Sequence, residues 1–371
     1  MDPKANSERY QRQVLLRQFG LAGQQKLLQA RVLMIGAGGL GCPVLQYFSA
    51  AGVGHIGIVD GDVVSISNLH RQVLYTEQDI GRLKAEIARK RLLEMNPDIQ
   101  VTIHPIYISP ENALEILREY EIIIDGTDNF ATRYMINDAC ILLDKILVYG
   151  AIAQFEGQVA IFNHSSSVPA VNYRDLFPHP PSEGELLNCA EAGVLGVLPG
   201  IIGTMMANET IKLIAGIGKP LIHQVLTYNA LTNATYTIGL QAAPGTRALI
   251  PKDAATFRET NYEWLCRPIG VLFEIDGDRF RELLESRGVV AIDVRETGEI
   301  PEVTAFLHQH IPLSVFKDRM AEITADTVLL FCQSGRRSLQ AAQQLADYFG
   351  SSKSIYSLQG GILQYEYNKE T

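Results

Sequence analysis

Short apolar runs alternate with helical periods through the first half of the chain. Runs at Arg31–Ile35, His55–Val59, Gln100–Pro105, Ile122–Asp125, Ile146–Gly150 and Gly157–Phe162 predict strands. The amphipathic or apolar stretches between them predict helices over Gly41–Ala51, Lys84–Met95, Pro110–Glu119 and Ala131–Asp144. Alternation of this kind predicts a largely parallel, doubly wound sheet with ligands at the carboxyl ends of its strands. A loop rich in Pro, Ser and Gly covers Asn163–Leu187, and an apolar helix starts near Pro199, a residue suited to a first helical turn. A hairpin-like pair near Val225–Tyr228 and Thr235–Gly239 closes a first domain, residues 1–240. Gln241–Pro268 has weak periodicity and mixed polarity and reads as a linker, 241–268. From Ile269 a second α/β pattern fills 269–371. Its parts are strands at Val289–Val294, Val328–Phe331 and Ser354–Leu358, a helix at Ser338–Tyr348 and a turn at Gly360-Gly361.

Composition narrows the class. A chain of 371 residues suits two or three domains, and 47% apolar with 20% charged residues is ordinary for a globular protein with a large core. A net charge of −9 argues against a general nucleic-acid binder. The polar N-terminus shows no signal-peptide pattern. The most apolar stretch, Gly193–Ala215, is interrupted by Asn208, Glu209 and Lys212, so it reads as a buried helix and no membrane partner is expected. Five scattered cysteines make no disulfide framework, and no Cys-x-x-Cys pair exists, which excludes a four-thiolate zinc site. The expected compartment is the cytoplasm.

Two loops carry the candidate chemistry. The run Val32–Ile35 leads into Gly36-Ala37-Gly38-Gly39-Leu40-Gly41. Glycines there let backbone N–H groups approach a phosphate, and the helix from Gly41 presents its positive end. Asp60 ends the next strand at a distance suited to a ribose hydroxyl. This motif specifies a nucleotide without saying which, so an NAD-dependent oxidoreductase competes with an ATP enzyme. Arg71 and Lys84 supply the cations a triphosphate needs, and Asp128, in Asp125-Gly126-Thr127-Asp128-Asn129, supplies a carboxylate for Mg. Hydride transfer needs no such set. Asp62 could simply cap a turn, His70 receives no role, and Cys42 and Cys140 read as core residues.

Over about Arg9–Gly239 the chain resembles the MoeB/ThiF family, relatives of ubiquitin-activating enzymes. The likeness is carried by Arg9-Tyr10-x-Arg12-Gln13, the glycine loop, Asp60-Gly61-Asp62, Ser67-Asn68-Leu69-x-Arg71-Gln72, Lys84, the Asp125–Asn129 segment and Asn188–Gly196. The resemblance implies ATP- and Mg-dependent adenylation of the C-terminal Gly-Gly carboxylate of a ubiquitin-like sulfur-carrier protein. It places Asp60 on the ribose, Asn68, Arg71 and Lys84 on the phosphates, and Asp128 on Mg. It also places Arg12 in the partner subunit's site of a homodimer and makes Cys189 a candidate acyl carrier. Many family members hold zinc through two Cys-x-x-Cys pairs. This chain has Asn172-Tyr173-Arg174-Asp175 at the first and no cysteine near the second, around Tyr228–Gly245, so zinc is not expected and other packing must replace it.

The second loop is Cys332-Gln333-Ser334-Gly335-Arg336-Arg337-Ser338, between a strand and a helix. Backbone N–H groups, the helix dipole and the arginines favour thiolate or persulfide there. Cysteine phosphatases have arginine where Ser338 stands, and this shorter cradle suits one sulfur atom. Gly270–Asn368 resembles a rhodanese domain through Ala291–Glu296, this loop and Leu358-Gln359-Gly360-Gly361-Ile362, with a departure between Glu296 and Pro312. The resemblance implies a persulfide on Cys332, loaded by a donor such as a cysteine desulfurase. The expected fold class is α/β, a Rossmann-like doubly wound sheet followed by a smaller α/β rhodanese domain. The expected function is carrier adenylation and sulfur transfer to a thiocarboxylate, in molybdopterin, thiamine or related biosynthesis. The competing readings are the oxidoreductase with a rhodanese-like tail and a docking scaffold with inactive sites.

Overall fold

The computed structural model of the protein describes residues 8–164, 170–178, 193–262, 273–286, 288–300, 302–349 and 353–367. They divide into two compact units, each built on its own sheet. In the first, β1 (Arg31–Ile35), β2 (His55–Val59), β3 (Gln100–His104), β4 (Ile122–Asp125) and β5 (Ile146–Ala153) run parallel. They stand in the order β3-β2-β1-β4-β5. β6 (Glu156–Phe162), β7 (Gln224–Asn229) and β8 (Ala234–Gly239) extend this sheet antiparallel. Helices Gly41–Ala51 and Lys84–Met95 cross over on one face, and Ala113–Arg118 and Phe130–Leu142 on the other. The chain therefore reverses direction across the sheet between β1 and β4, and a crevice opens above their carboxyl ends.

The apolar helix is Leu198–Ala215. It packs against Gly41–Ala51 and β5, which buries Leu198, Ile202 and Met206 and leaves Ile211 and Leu213 partly exposed. Among the described residues no helix is long and apolar enough to cross a membrane. Gln11–Val14 and Gly20–Gln29 add two helices that the sequence pattern does not announce. Gly20 and Gly23 weaken the local helical signal, and packing of Leu27 in the core supplies the stabilisation.

Part of the presumed linker is structured, which corrects that expectation. A helix at Ala254–Glu259, capped by Asp253 accepting from Thr256 N at 2.8 Å, buries Phe257 in the first unit. Tyr262 is buried beside it. The segment Asn172–Asp175 is tied to the same stretch. Asp175 Oδ1 accepts from Ala243 N at 2.9 Å and from the Thr246 hydroxyl at 2.6 Å. Asp175 Oδ2 accepts from the Asn172 backbone and side-chain amides, both at 2.8 Å. One carboxylate thus fastens two short turns that are remote in sequence.

In the second unit β9 (Phe273–Ile275), β10 (Val289–Asp293), β11 (Gln309–His310), β12 (Thr327–Phe331) and β13 (Ser354–Leu358) form a parallel sheet in the order β11-β10-β12-β13-β9. Helices Gly277–Leu284, Leu313–Arg319, Arg336–Phe349 and Gly361–Tyr367 accompany it. β12 lies near the middle of this sheet, so its carboxyl end opens where neighbouring loops can surround it.

Candidate active sites

At the first site β1 ends in Gly36, whose φ of 88° is the left-handed turn that glycine adopts without strain. A Cβ on Gly41 would stand 2.1 Å from Gly36 O, so a tight return into helix Gly41–Ala51 requires glycine there. Asp60 follows β2. Its Oδ2 accepts from Ala37 N at 2.7 Å and its Oδ1 from Asp62 N at 2.8 Å, which fixes the carboxyl beside the glycine loop. Burial raises its pKa against the opposing pull of Lys84 and these amides.

Lys84 is buried at the start of its helix and donates to Asp62 at 2.8 Å. The Tyr107 hydroxyl donates to the other Asp62 oxygen at 2.7 Å. Burial pushes the Asp62 carboxyl up, but the bonds from Lys84 and Tyr107 outweigh it and hold the pKa below the usual value. Arg71 Nη1 donates to Ser67 O and to His70 Nε2, each at 2.9 Å. Arginine only donates, so His70 Nε2 is the acceptor in this contact. At the end of β4, buried Asp125 accepts from Thr127 N at 2.9 Å and from its hydroxyl at 2.6 Å, shaping the turn that presents Asp128. Burial raises the Asp125 pKa.

One cavity of about 860 Å³ is lined by Gly36, Gly38, Gly39, Asp60, Arg71, Lys84 and Asp128. The candidates for one nucleotide site are therefore brought together. Gly41 shapes the turn without lining the cavity. Asn68 also lies off it, with its Oδ1 accepting from Ser65 N at 3.2 Å in a local capping box. Arg12 is exposed and away from the cavity. Three contributors had no assigned role in the sequence. Asp62 could be found only through its contact with Lys84. Gln72 lines the cavity with a buried Oε1 that has no hydrogen-bond partner among the described residues. The third is the stretch Arg258–Tyr262. No group of three or more His, Cys, Asp or Glu side chains is gathered as for a metal ion among the described residues.

At the second site Cys332 follows β12 and is buried. Its carbonyl accepts from Ile362 N at 2.9 Å, and a Cβ on Gly361 would stand 2.5 Å from that carbonyl oxygen. The Ser338 hydroxyl lies 3.5 Å from Cys332 Sγ and itself lies 2.9 Å from the Ser357 hydroxyl. Burial raises the thiol pKa. The Ser338 hydroxyl and the backbone amides of Ser338, Ser334 and Arg337 outweigh it, so the pKa falls below the usual thiol value. Arg337 forks onto Glu299, with Nη2 at 2.7 Å from Oε2, and holds the Glu299 pKa at about 2. Arg336 remains exposed. Cys189, like the rest of Asn188–Ala192, lies outside the described residues. Cys42 and Cys140 are core residues, and burial pushes the Cys42 thiol up to about 12.

A cavity at a sheet switch point and a cysteine loop in a second α/β unit are the arrangement of an adenylyltransferase joined to a sulfurtransferase, and the comparisons with known proteins agree. The chain belongs to the ThiF family, matched over residues 10–247, and residues 276–368 match the rhodanese-like domain. It is 50% identical over 266 residues to the sulfur carrier protein adenylyltransferase of Thermus thermophilus, covering 71% of this chain and 97% of that protein. It is 41% identical over 370 residues to the probable adenylyltransferase/sulfurtransferase MoeZ of Mycobacterium tuberculosis, covering 96% and 91% of the two chains. Against adenylyltransferase and sulfurtransferase MOCS3 of Arabidopsis thaliana the identity is 37%, covering 94% and 81%. The fold is shared with the crystal structure of E. coli MccB with ATP, at a TM-score of 0.56 and 20% identity over 66% of this chain and 75% of that one. Adenylyltransferase relatives of this likeness decide against the oxidoreductase reading of the glycine loop.

Proposed function

We propose that the enzyme adenylates the C-terminal Gly-Gly carboxylate of a ubiquitin-like sulfur-carrier protein and converts it to a thiocarboxylate with sulfur from Cys332. The observation that carries the reading is the convergence of the glycine loop, Asp60, Arg71, Lys84 and Asp128 on one cavity. Phosphates lie at the glycine loop, against its amides and the helix N-terminus, with the ribose at Asp60. Asn68, fixed in the turn before Arg71, supports the phosphate end. The carrier's carboxylate oxygen attacks the α-phosphorus, and the bond to pyrophosphate breaks. Two anions repel at that centre, and Arg71 and Lys84 offset the charge that develops. Asp128 fits Mg, which takes one or two carboxylates together with substrate phosphates. When bound, Mg neutralises phosphate charge.

The acyl adenylate is then open to sulfur. In our scheme Cys189 displaces AMP to give a thioester, and the terminal sulfur of the Cys332 persulfide takes the acyl group and frees Cys189. An external thiol attacks Cys332 Sγ of the resulting acyl disulfide and releases the thiocarboxylate, leaving a mixed disulfide, and a second thiol then frees Cys332 as the two external thiols leave joined as a disulfide. A desulfurase-type donor reloads Cys332. We assign Arg12 to the partner subunit's site in a homodimer. The exposure of Leu15 and Leu16 next to it, 67% and 59%, supports a covered surface there. We place the enzyme in the cytoplasm, in molybdopterin, thiamine or related sulfur biosynthesis.

Mass spectrometry of a purified carrier after incubation with ATP, Mg and a sulfur source tests the reaction. A mass gain equal to exchange of one oxygen for sulfur is expected. An unchanged carrier, with no ATP–pyrophosphate exchange, rejects it. The Cys189 step fails if Cys189→Ala turns over carrier at the wild-type rate.

A further inference from the structure

β3 lies two strands from β1 in the sheet, so the loop after β3 borders the end of the cavity remote from the glycine loop. Apolar Ile106 and Ile108 of that loop line the cavity, as do Ala131 and Met135 of helix Phe130–Leu142. One of its walls comes from beyond residue 247, where the ThiF match stops: Arg258 to Tyr262 line the same cavity.

This wall is built to stay in place. Phe257 and Tyr262 are both buried, with ring centroids 5.7 Å apart. The Tyr262 hydroxyl donates to Asp138 Oδ2 at 3.0 Å. Asp138 sits on helix Phe130–Leu142 and is held by Arg174 Nη2 at 2.6 Å. Between the two anchors, Thr260 N donates to Phe257 O at 3.2 Å, and the Thr260 hydroxyl to Thr256 O at 2.8 Å. The result is a short turn pinned at both ends, with Arg258, Glu259 and Asn261 exposed.

We propose that Arg258–Asn261 is the base-reading wall of the nucleotide site. The inference rests on the ATP reading above. With phosphates at the glycine loop and the ribose at Asp60, the base of a nucleoside triphosphate must lie past Asp60. The apolar slot takes the two faces of a purine, and its polar edge needs hydrogen-bonding groups at the rim. Ser109 and Glu111 also border this end, but they bond each other. The pinned turn supplies the polar groups that meet the edge of adenine. A site that hydrogen-bonds a substrate group rejects analogues that lack it, so this turn sets the preference for adenine over guanine. The stretch entered by the sequence as a passive connector is thereby a specificity element of the adenylation unit.

The test uses the full chain with Arg258→Ala and Asn261→Ala, singly and combined. Both side chains are exposed, and an unchanged thermal transition shows that each variant is folded. ATP and GTP binding are measured by calorimetry, and KM values for ATP and carrier by pyrophosphate exchange. The combined variant is expected to bind ATP about tenfold more weakly and to lose most of its preference over GTP, with carrier KM unchanged. Unchanged ATP affinity and preference overturn the proposal, as does a rise confined to the carrier's KM, which would give the wall to the protein tail. Failure of the unmodified enzyme to bind ATP would instead reject the nucleotide reading itself, and this proposal with it.

Discussion

Lys84 and Cys332 show how a single side chain is prepared before any substrate arrives. Lys84 is buried, with Asp62 as its partner at 2.8 Å, so its side chain is held in place on the cavity wall. Lys84→Ala should lower ATP–pyrophosphate exchange about 10²–10³-fold, the usual loss for one transition-state donor. Asp62→Asn should cost less, because the cation itself survives. Exchange rates at saturating ATP separate the two, and equal losses would mean that Asp62 itself meets the substrate. Ser338 and three backbone amides bring the Cys332 pKa below the usual thiol value, against the cost of burial. A lowered pKa means the reactive form persists below the usual thiol range and declines only as pH falls through the depressed midpoint. Alkylation of Cys332 should therefore plateau above that midpoint and fall about tenfold per pH unit beneath it. Ser338→Ala should move the midpoint upward. A profile indistinguishable from a free thiol would contradict this account of the loop.

At the scale of elements, the Asp175 cluster ties turns that no local pattern connects. It fastens Asn172–Asp175 to Ala243–Thr246 with hydrogen bonds alone. Removing a charged acceptor of this kind costs about 2–4 kcal/mol once several partners lose it. Asp175→Ala should lower the first thermal transition, and a chelator should leave the unmodified protein's transition where it is. A chelator-induced drop would show a metal at work in its stability. The strands and crossovers of the first sheet were legible because each is a local feature. Strands β1, β2 and β4 and helices Gly41–Ala51 and Lys84–Met95 have the bounds their apolar periods predict. The glycine loop, Asp60 and Asp128 were legible as candidates because they follow strand ends, and Arg71 and Lys84 as candidates because a triphosphate needs cations and the resemblance places them on the phosphates. Arg258–Tyr262 was not, since its placement depends on Tyr262 reaching Asp138, 124 residues away, and on Phe257 filling the core. Asp62 was ambiguous for the same reason. Its neighbours in sequence say turn, and only its contacts with Lys84 and Tyr107 say site.

At the scale of the whole molecule, two sheets carry two chemistries on separate cores. The larger sheet is packed by helices on both faces, with Phe48, Val148 and Ile202 on one side and Leu33, Tyr134 and Phe257 on the other. The smaller sheet has its own interior, around Phe316 and Leu330 on one face and Phe280 and Phe331 on the other. Among the described residues no side chain of one cluster belongs to the other sheet's clusters, so each unit carries its own driving force for folding. Calorimetry of the full chain should accordingly resolve more than one transition. The same separation predicts the pattern of lost activities. Adenylation needs the cavity at Gly36–Gly39 but no thiol, so Cys332→Ala should exchange pyrophosphate at the wild-type rate while yielding no thiocarboxylate. Sulfane transfer from thiosulfate to cyanide needs the Cys332 loop but no nucleotide, so Lys84→Ala should retain it. If Cys332→Ala instead slows exchange, the thiol takes part in the first reaction and the two half-reactions cannot be independent. If each variant loses only its own half, equimolar mixing of the two shows whether an acyl adenylate made on one polypeptide can receive sulfur from another, because only passage between chains restores the product.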